Sequence, residues 1–142
     1  MKSFIRALGR EAESRATALA PNRGGETATL YFGGGTPSML SDTHLGRLME
    51  TLDRLVPVDK LDEFSFEANP ATFTEKKVRF WRSLGMTRVS LGVQSLDSGI
   101  LHLLGREHTP AQALHSMEML KNAGMAHINM DLMFAIPGQT LS

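Results

Sequence analysis

The 142-residue sequence contains no cysteine. That excludes disulfides, thiolate zinc sites and thiolate-held iron–sulfur clusters within this chain. It has no surplus of either charge: 15 Lys and Arg stand against 15 Asp and Glu. A neutral balance gives neither a nucleic-acid footprint nor a membrane-surface footprint. No apolar run approaches the roughly 20 residues needed to span a bilayer. The N-terminal residues Met1 to Arg10 carry no long apolar core and no cleavage site, so they do not read as a secretory signal. A cytoplasmic location follows as the expectation. What remains is an ordinary globular composition, 42% apolar and 21% charged, with enough chain for one domain.

Against these absences stands one abundance. The run Thr29-Leu-Tyr-Phe ends at three consecutive glycines, Gly33, Gly34 and Gly35, followed by Thr36, Pro37 and Ser38. Three glycines forfeit backbone entropy, which is tolerated where a side chain would be in the way. At the end of a buried strand, that points to another molecule lying against the backbone. Three further strand-like runs follow, Glu63 to Glu67, Val89 to Val93, and one beginning near His127.

Helical spacing fills the intervals. Phe4, Ile5, Leu8, Ala12, Ala16 and Leu19 form one stripe between about Lys2 and Ala20, broken by Pro21-Asn-Arg-Gly-Gly25. Ser41-Asp42 caps a second helix running toward Pro57. Thr72 or Thr74 opens a third, closed by Gly85. A short helical piece spans Asp97 to Leu104, and Thr109-Pro110 starts a helix that reaches Gly124. The repeat of strand, loop and helix at about 30 residues is the size of a βαβ unit.

Such alternation predicts an α/β fold, a parallel sheet covered by helices, either open or curled into a barrel. In both, ligands bind at the carboxyl ends of the strands. Glu67, Gln94 and Asp131 lie in or at otherwise apolar strands, where an unpartnered carboxylate or amide is costly to bury. Each has two readings. Glu67 either meets a ligand or caps the turn at Asn69-Pro70. Gln94 and Asp131 either meet a ligand or bond neighbouring loops. The glycine run is either a ligand cradle or a tight strand-to-helix turn. It is not Gly-x-Gly-x-x-Gly, and no Lys-Ser/Thr follows, so dinucleotide and P-loop readings fail.

The remaining chemistry is sparse. Glu67 and Asp131 form a conceivable acid/base pair, but no nucleophile accompanies them. The five histidines show no paired metal-ligand spacing and read mostly as solvated or helix-surface residues. His108, following Arg106 in a loop, is the one placed to reach a ligand. Ser38 and Ser95 follow strand ends without a Gly-x-Ser-x-Gly elbow. The nine methionines fit core positions.

Taken in order, Tyr31-Phe-Gly-Gly-Gly-Thr-Pro-Ser38, Glu67-Ala-Asn-Pro70, Ser90-Leu-Gly-Val-Gln-Ser95, Leu104-Gly-Arg-Glu-His-Thr109, Asn129-Met-Asp-Leu-Met133 and Pro137-Gly-Gln-Thr140 resemble the radical S-adenosylmethionine (SAM) family of oxygen-independent coproporphyrinogen III oxidases. The Glu-Ala-Asn-Pro and Gly-Arg-x-His-Thr forms are more similar to its heme chaperone branch, HemW, than to the oxidase proper. The resemblance covers about residues 27 to 142. It implies a partial parallel (β/α) barrel of the TIM-like radical SAM type, with about four strands in this chain. It also implies that Gly34, Gly35 and Thr36 meet the methionine moiety of SAM, and that Glu67, Gln94, Arg106 and Asp131 match further SAM-contacting positions. An arginine suits a carboxylate by a bidentate fork, and a carboxylate suits hydroxyls or an ammonium.

One departure qualifies the likeness. The family holds a [4Fe–4S] cluster on a Cys-x-x-x-Cys-x-x-Cys motif upstream of the first helix, and this chain has no cysteine. The expectation is therefore a single incomplete radical SAM core domain, a fragment without the cluster-binding segment or C-terminal domain, and inactive alone. In the intact protein the resemblance implies SAM and a [4Fe–4S] cluster as cofactors and heme or a porphyrin as partner, with His108 the candidate heme ligand. Reading it as a cluster-free SAM- or heme-binding module is the alternative of another class. An incomplete barrel also predicts unpaired sheet edges.

Overall fold

The computed structural model describes residues 2–15 and 28–140. The expected continuation of the first helix through Ala16 and Leu19, and its break at 21–25, lie outside the described residues. Four strands, β1 (Thr29–Phe32), β2 (Glu63–Ala68), β3 (Arg88–Gln94) and β4 (His127–Leu132), form one parallel sheet in the order β1-β2-β3-β4. Sequential parallel neighbours require a crossover each time, and the helices supply it. Among the described residues the α-helices are α1 (Lys2–Ser14), α2 (Asp42–Asp53), α3 (Glu75–Ser83), α4 (Ser98–Leu103) and α5 (Pro110–Asn122). The partial barrel expected from the sequence is thus an α/β sheet of four strands.

Register decides which side of each strand is apolar. Phe32 lies opposite Phe66, Phe66 opposite Val89, and Val89 opposite Ile128. With a side-chain period of two, Phe64, Phe66 and Ala68 of β2 and Val89, Leu91 and Val93 of β3 share one face. There they pack with Leu45 and Met49 of α2, Val78 and Trp81 of α3, and Ala113 and Leu120 of α5. Trp81 is fully buried, with its ring 4.7 Å from Phe66 and 5.2 Å from Phe73, centroid to centroid. Aromatic pairs at such spacings add to simple area burial.

Local signals set the helix starts. Ser41, Thr74 and Asp97 each accept a backbone N–H of the first turn of α2, α3 and α4. Of the two candidates for α3, Thr74 is the cap, because the Thr72 hydroxyl donates to the Asn69 carbonyl at 2.6 Å. Helix α2 stops at Asp53, short of Pro57, and the Asp53 carboxylate accepts the Val58 N–H at 2.8 Å. Thr109 and Gln112 form a reciprocal capping box at α5, with Pro110 as its first residue. Thr109→Ala should destabilise the chain by about 1 kcal/mol, read as a shift in the urea midpoint at unchanged slope.

Among the described residues, β1 and β4 each pair on one side only. Leu132 at the end of β4, and Met133 and Phe134 just after it, are exposed. No helix among the described residues is long and apolar enough to cross a membrane.

Candidate functional site

The face of the sheet turned away from the helices is polar almost throughout. Tyr31 of β1, Glu63, Ser65 and Glu67 of β2, Arg88, Ser90 and Gln94 of β3, and Asn129 and Asp131 of β4 belong to it. Glu67, Gln94 and Asp131 are therefore not isolated polar residues in apolar strands, as the sequence pattern implied; they share one polar face, on which Glu67 bonds Tyr31 and Gly34 while Asp131 bonds Ser90. Toward the amino ends of the strands, Arg88 donates to Glu63 at 2.7 Å and to Asn129 Oδ1 at 2.8 Å. Ser65 also donates to Glu63. The Ser65 hydroxyl and the Arg88 guanidinium hold the Glu63 carboxyl below the ordinary range, because both stabilise its charged form.

Toward the carboxyl ends, the layer meets the glycine run. Glu67 Oε2 accepts the Gly34 N–H at 3.0 Å, and Glu67 Oε1 accepts the Tyr31 hydroxyl. Glu67 thus reaches back to the loop after β1 and does not cap the turn at Asn69-Pro70. The three glycines have different causes. Gly34 and Gly35 adopt φ of 78° and 62°, in the left-handed region that a Cβ disfavours, and a Cβ on either would point into open space. At Gly33 a Cβ would lie 2.3 Å from Tyr31 Cε1 and 3.0 Å from Glu67 Oε1. The run is a turn and also leaves open space over two of its residues. It forms one rim of a cleft of about 690 Å³ that continues under Phe4, Ile5 and Leu8 of α1.

A second convergence lies beside the first. Asn69 Nδ2 donates to the Thr36 hydroxyl, and Arg106 donates to Asn69 Oδ1, each at 3.4 Å. At Gly92 a Cβ would stand 3.0 Å from Asn69 Oδ1 and 3.1 Å from Gln94 Nε2. The missing side chain is what lets the two amides approach. Gln94 itself has φ of 66°, uncommon for a residue other than glycine, at the irregularity where β3 slips against β4. Asp131 accepts the Ser90 hydroxyl at 2.7 Å, inside the sheet and not from a loop.

The structure therefore joins Gly34 to Glu67 directly, and Thr36 to Arg106 through Asn69. It sets Gln94 at the same strand ends, with Asp131 one strand further on. Asp131 is linked electrostatically: its charge and that of Glu67 contribute to raising the Tyr31 pKa, after the hydrogen bond to Glu67 itself and burial. Three residues of this layout escaped sequence reasoning as site members, Tyr31, Asn69 and Gly92, while Gly33 was legible only as part of the glycine run. Tyr31 had a legible signal, two residues from the glycines and on the same side of the strand as Gly33.

Other candidates prove structural. Ser38 is fully buried, shares a 2.7 Å hydrogen bond with Thr72 and accepts the Asn69 N–H. His108 is not a surface histidine. It is only 6% exposed, with Nε2 3.1 Å from the Val93 carbonyl, so its ring faces the β3 backbone and not an incoming ligand. Among the described residues, no group of three or more His, Cys, Asp or Glu is arranged to hold a metal ion.

Comparison with known proteins fits this geometry. The heme chaperone HemW of Lactococcus lactis is 41% identical over 113 residues, which is 80% of this chain and 30% of that protein. HemW of Escherichia coli is 34% identical over 119 residues, 84% of this chain and 32% of that protein. Coproporphyrinogen III oxidase (HemN) from Escherichia coli, described as a radical SAM enzyme, superposes with a TM-score of 0.84 at 28% identity. That match covers 98% of this chain and 31% of the other. The chain spans about a third of the length of these relatives. The family model of the Radical SAM superfamily matches residues 9–142. With nearly the whole chain inside that match and four parallel strands carrying the polar layer, the chain belongs to the radical SAM superfamily, within which it is similar to HemW.

Proposed function

We propose that this chain is the SAM-binding part of a HemW-like radical SAM core, from a longer protein of heme or porphyrin metabolism. The observation that carries the reading is the convergence at the strand ends of Gly34, Glu67, Thr36, Asn69, Arg106 and Gln94. The donor set suits the ligand. Open space over Gly34 and Gly35 admits a chain against the backbone, and Arg106 offers a fork to the amino-acid carboxylate. Glu67 and Asp131 offer acceptors for hydroxyls or an ammonium, and their negative charge favours a sulfonium nearby. Bound SAM would supply an adenosyl group on a positively charged sulfur.

The iron–sulfur cluster of the family does not fit the residues of this chain. Without cysteine there is no thiolate to hold it. The part proposed here is therefore binding and orientation. Heme or porphyrin handling is proposed for the longer protein by its likeness to the HemW relatives.

Isothermal titration of SAM into the purified 142-residue chain tests the reading without any cluster. Saturable binding near one equivalent is expected. Absence of binding by a chain that circular dichroism shows to be folded would overturn it.

A further inference from the structure

Tyr31 is the only tyrosine of the chain, and it stands where the glycine run meets Glu67. Its ring lies over Gly33, at the position a Cβ there would fill, and its hydroxyl donates to Glu67 Oε1. The other oxygen of the same carboxylate takes the Gly34 N–H at 3.0 Å. A carboxylate held by one donor can rotate; held by two donors from different directions, it has one orientation. Each oxygen carries two lone pairs, so both retain accepting capacity toward a third group.

We infer that Tyr31 is a positioning residue of the strand-end site, one that fixes the Glu67 carboxylate for its ligand, and that Gly33 is glycine so that this phenol can reach it. The inference rests on the SAM-site reading above. It adds a residue and a cause that the strand-end cluster alone does not imply. Tyr31 is 59% exposed, so its ring has little role in the core. The groups that act on the phenol are Glu67 and, more weakly, Asp131, and both disfavour a second negative charge beside them.

The test uses the full 142-residue chain with 3-fluorotyrosine at its single tyrosine, read by fluorine NMR, together with SAM titration. In the unsubstituted chain, the fluorotyrosine should titrate above the free amino acid, and in Glu67→Ala it should fall back toward it. Tyr31→Phe should weaken SAM binding about tenfold, the usual worth of a hydrogen bond to a charged group. In the Glu67→Ala background, the same substitution should have an effect of less than about twofold, since its partner is already gone. Gly33→Ala should reproduce the binding loss of Tyr31→Phe and, like Glu67→Ala, bring the fluorotyrosine titration back toward that of the free amino acid.

A fluorotyrosine pKa indifferent to Glu67 would overturn the contact. Equal SAM affinity of Tyr31→Phe and the parent chain would overturn the positioning role. Should the parent chain itself fail to bind SAM, the site reading falls and the positioning role with it. That outcome differs from the others because the unsubstituted chain shows it.

Discussion

Trp81→Ala is expected to remove about 3–5 kcal/mol of unfolding free energy, the range for deleting a large buried aromatic. Domains of this size have only about 5–15 kcal/mol in total, so the variant should lose a large share of its stability. Trp81 is fully buried and sits between Phe66 of β2 and Phe73 of the loop that follows it. Phe66 in turn meets Phe32 of β1 at 6.0 Å. Truncation therefore loosens the two strands that present Gly34 and Glu67. The indole Nε1 is buried without a hydrogen-bond partner among the described residues. Trp81→Phe loses that unsatisfied donor while keeping a ring, so its cost should be markedly smaller than that of alanine. Urea denaturation followed by far-UV circular dichroism measures both. A loss below about 1 kcal/mol for Trp81→Ala would show that the core is organised around other residues.

Glu67→Ala should do the opposite: little to stability and much to binding. The groups it bonds, the Tyr31 hydroxyl and the Gly34 N–H, are both on exposed residues, so water replaces the carboxylate. The expected stability change is within about 1 kcal/mol. Affinity for SAM should fall about 10- to 100-fold, because in the proposed site the carboxylate would accept from the ligand while it holds the Gly34 N–H of the glycine loop. Calorimetric titration and a urea melt on the same preparation separate the two. A melt shifted as far as that of Trp81→Ala would make Glu67 a structural residue. Unchanged affinity would remove it from the site.

The paired outcome follows from the two faces of one sheet. The face against the helices holds the stability, through Phe64, Phe66, Val89, Leu91 and the helices over them. The opposite face carries the polar residues of the proposed site, most of them half-buried or exposed. A substitution on one face should leave the property of the other nearly untouched when the positions share no partner.

Much of this was open to reading in the residues themselves. Strand and helix alternate because their periods differ, and Ser41, Asp97 and Thr109 mark helix starts by a purely local hydrogen bond. The glycine run and the ordered motifs located the strand ends and the family. Composition alone decided that no thiolate-bound cluster can form on this chain.

The tertiary structure decided what the individual residues touch. Glu67 reads equally well as a local cap until β1 is brought beside β2, when an amide 33 positions away becomes its partner. His108 reads as a loop residue facing a ligand until β3 is brought beside it, when its ring meets the Val93 carbonyl. Asn69, Gly92 and Gln94 become one cluster only through the register of β2 against β3. Local spacing is written along the chain and can be read there. Partnership between strands depends on register and crossover, which no single segment specifies, so the polar layer and the Tyr31–Glu67 contact within it exist only in the folded sheet.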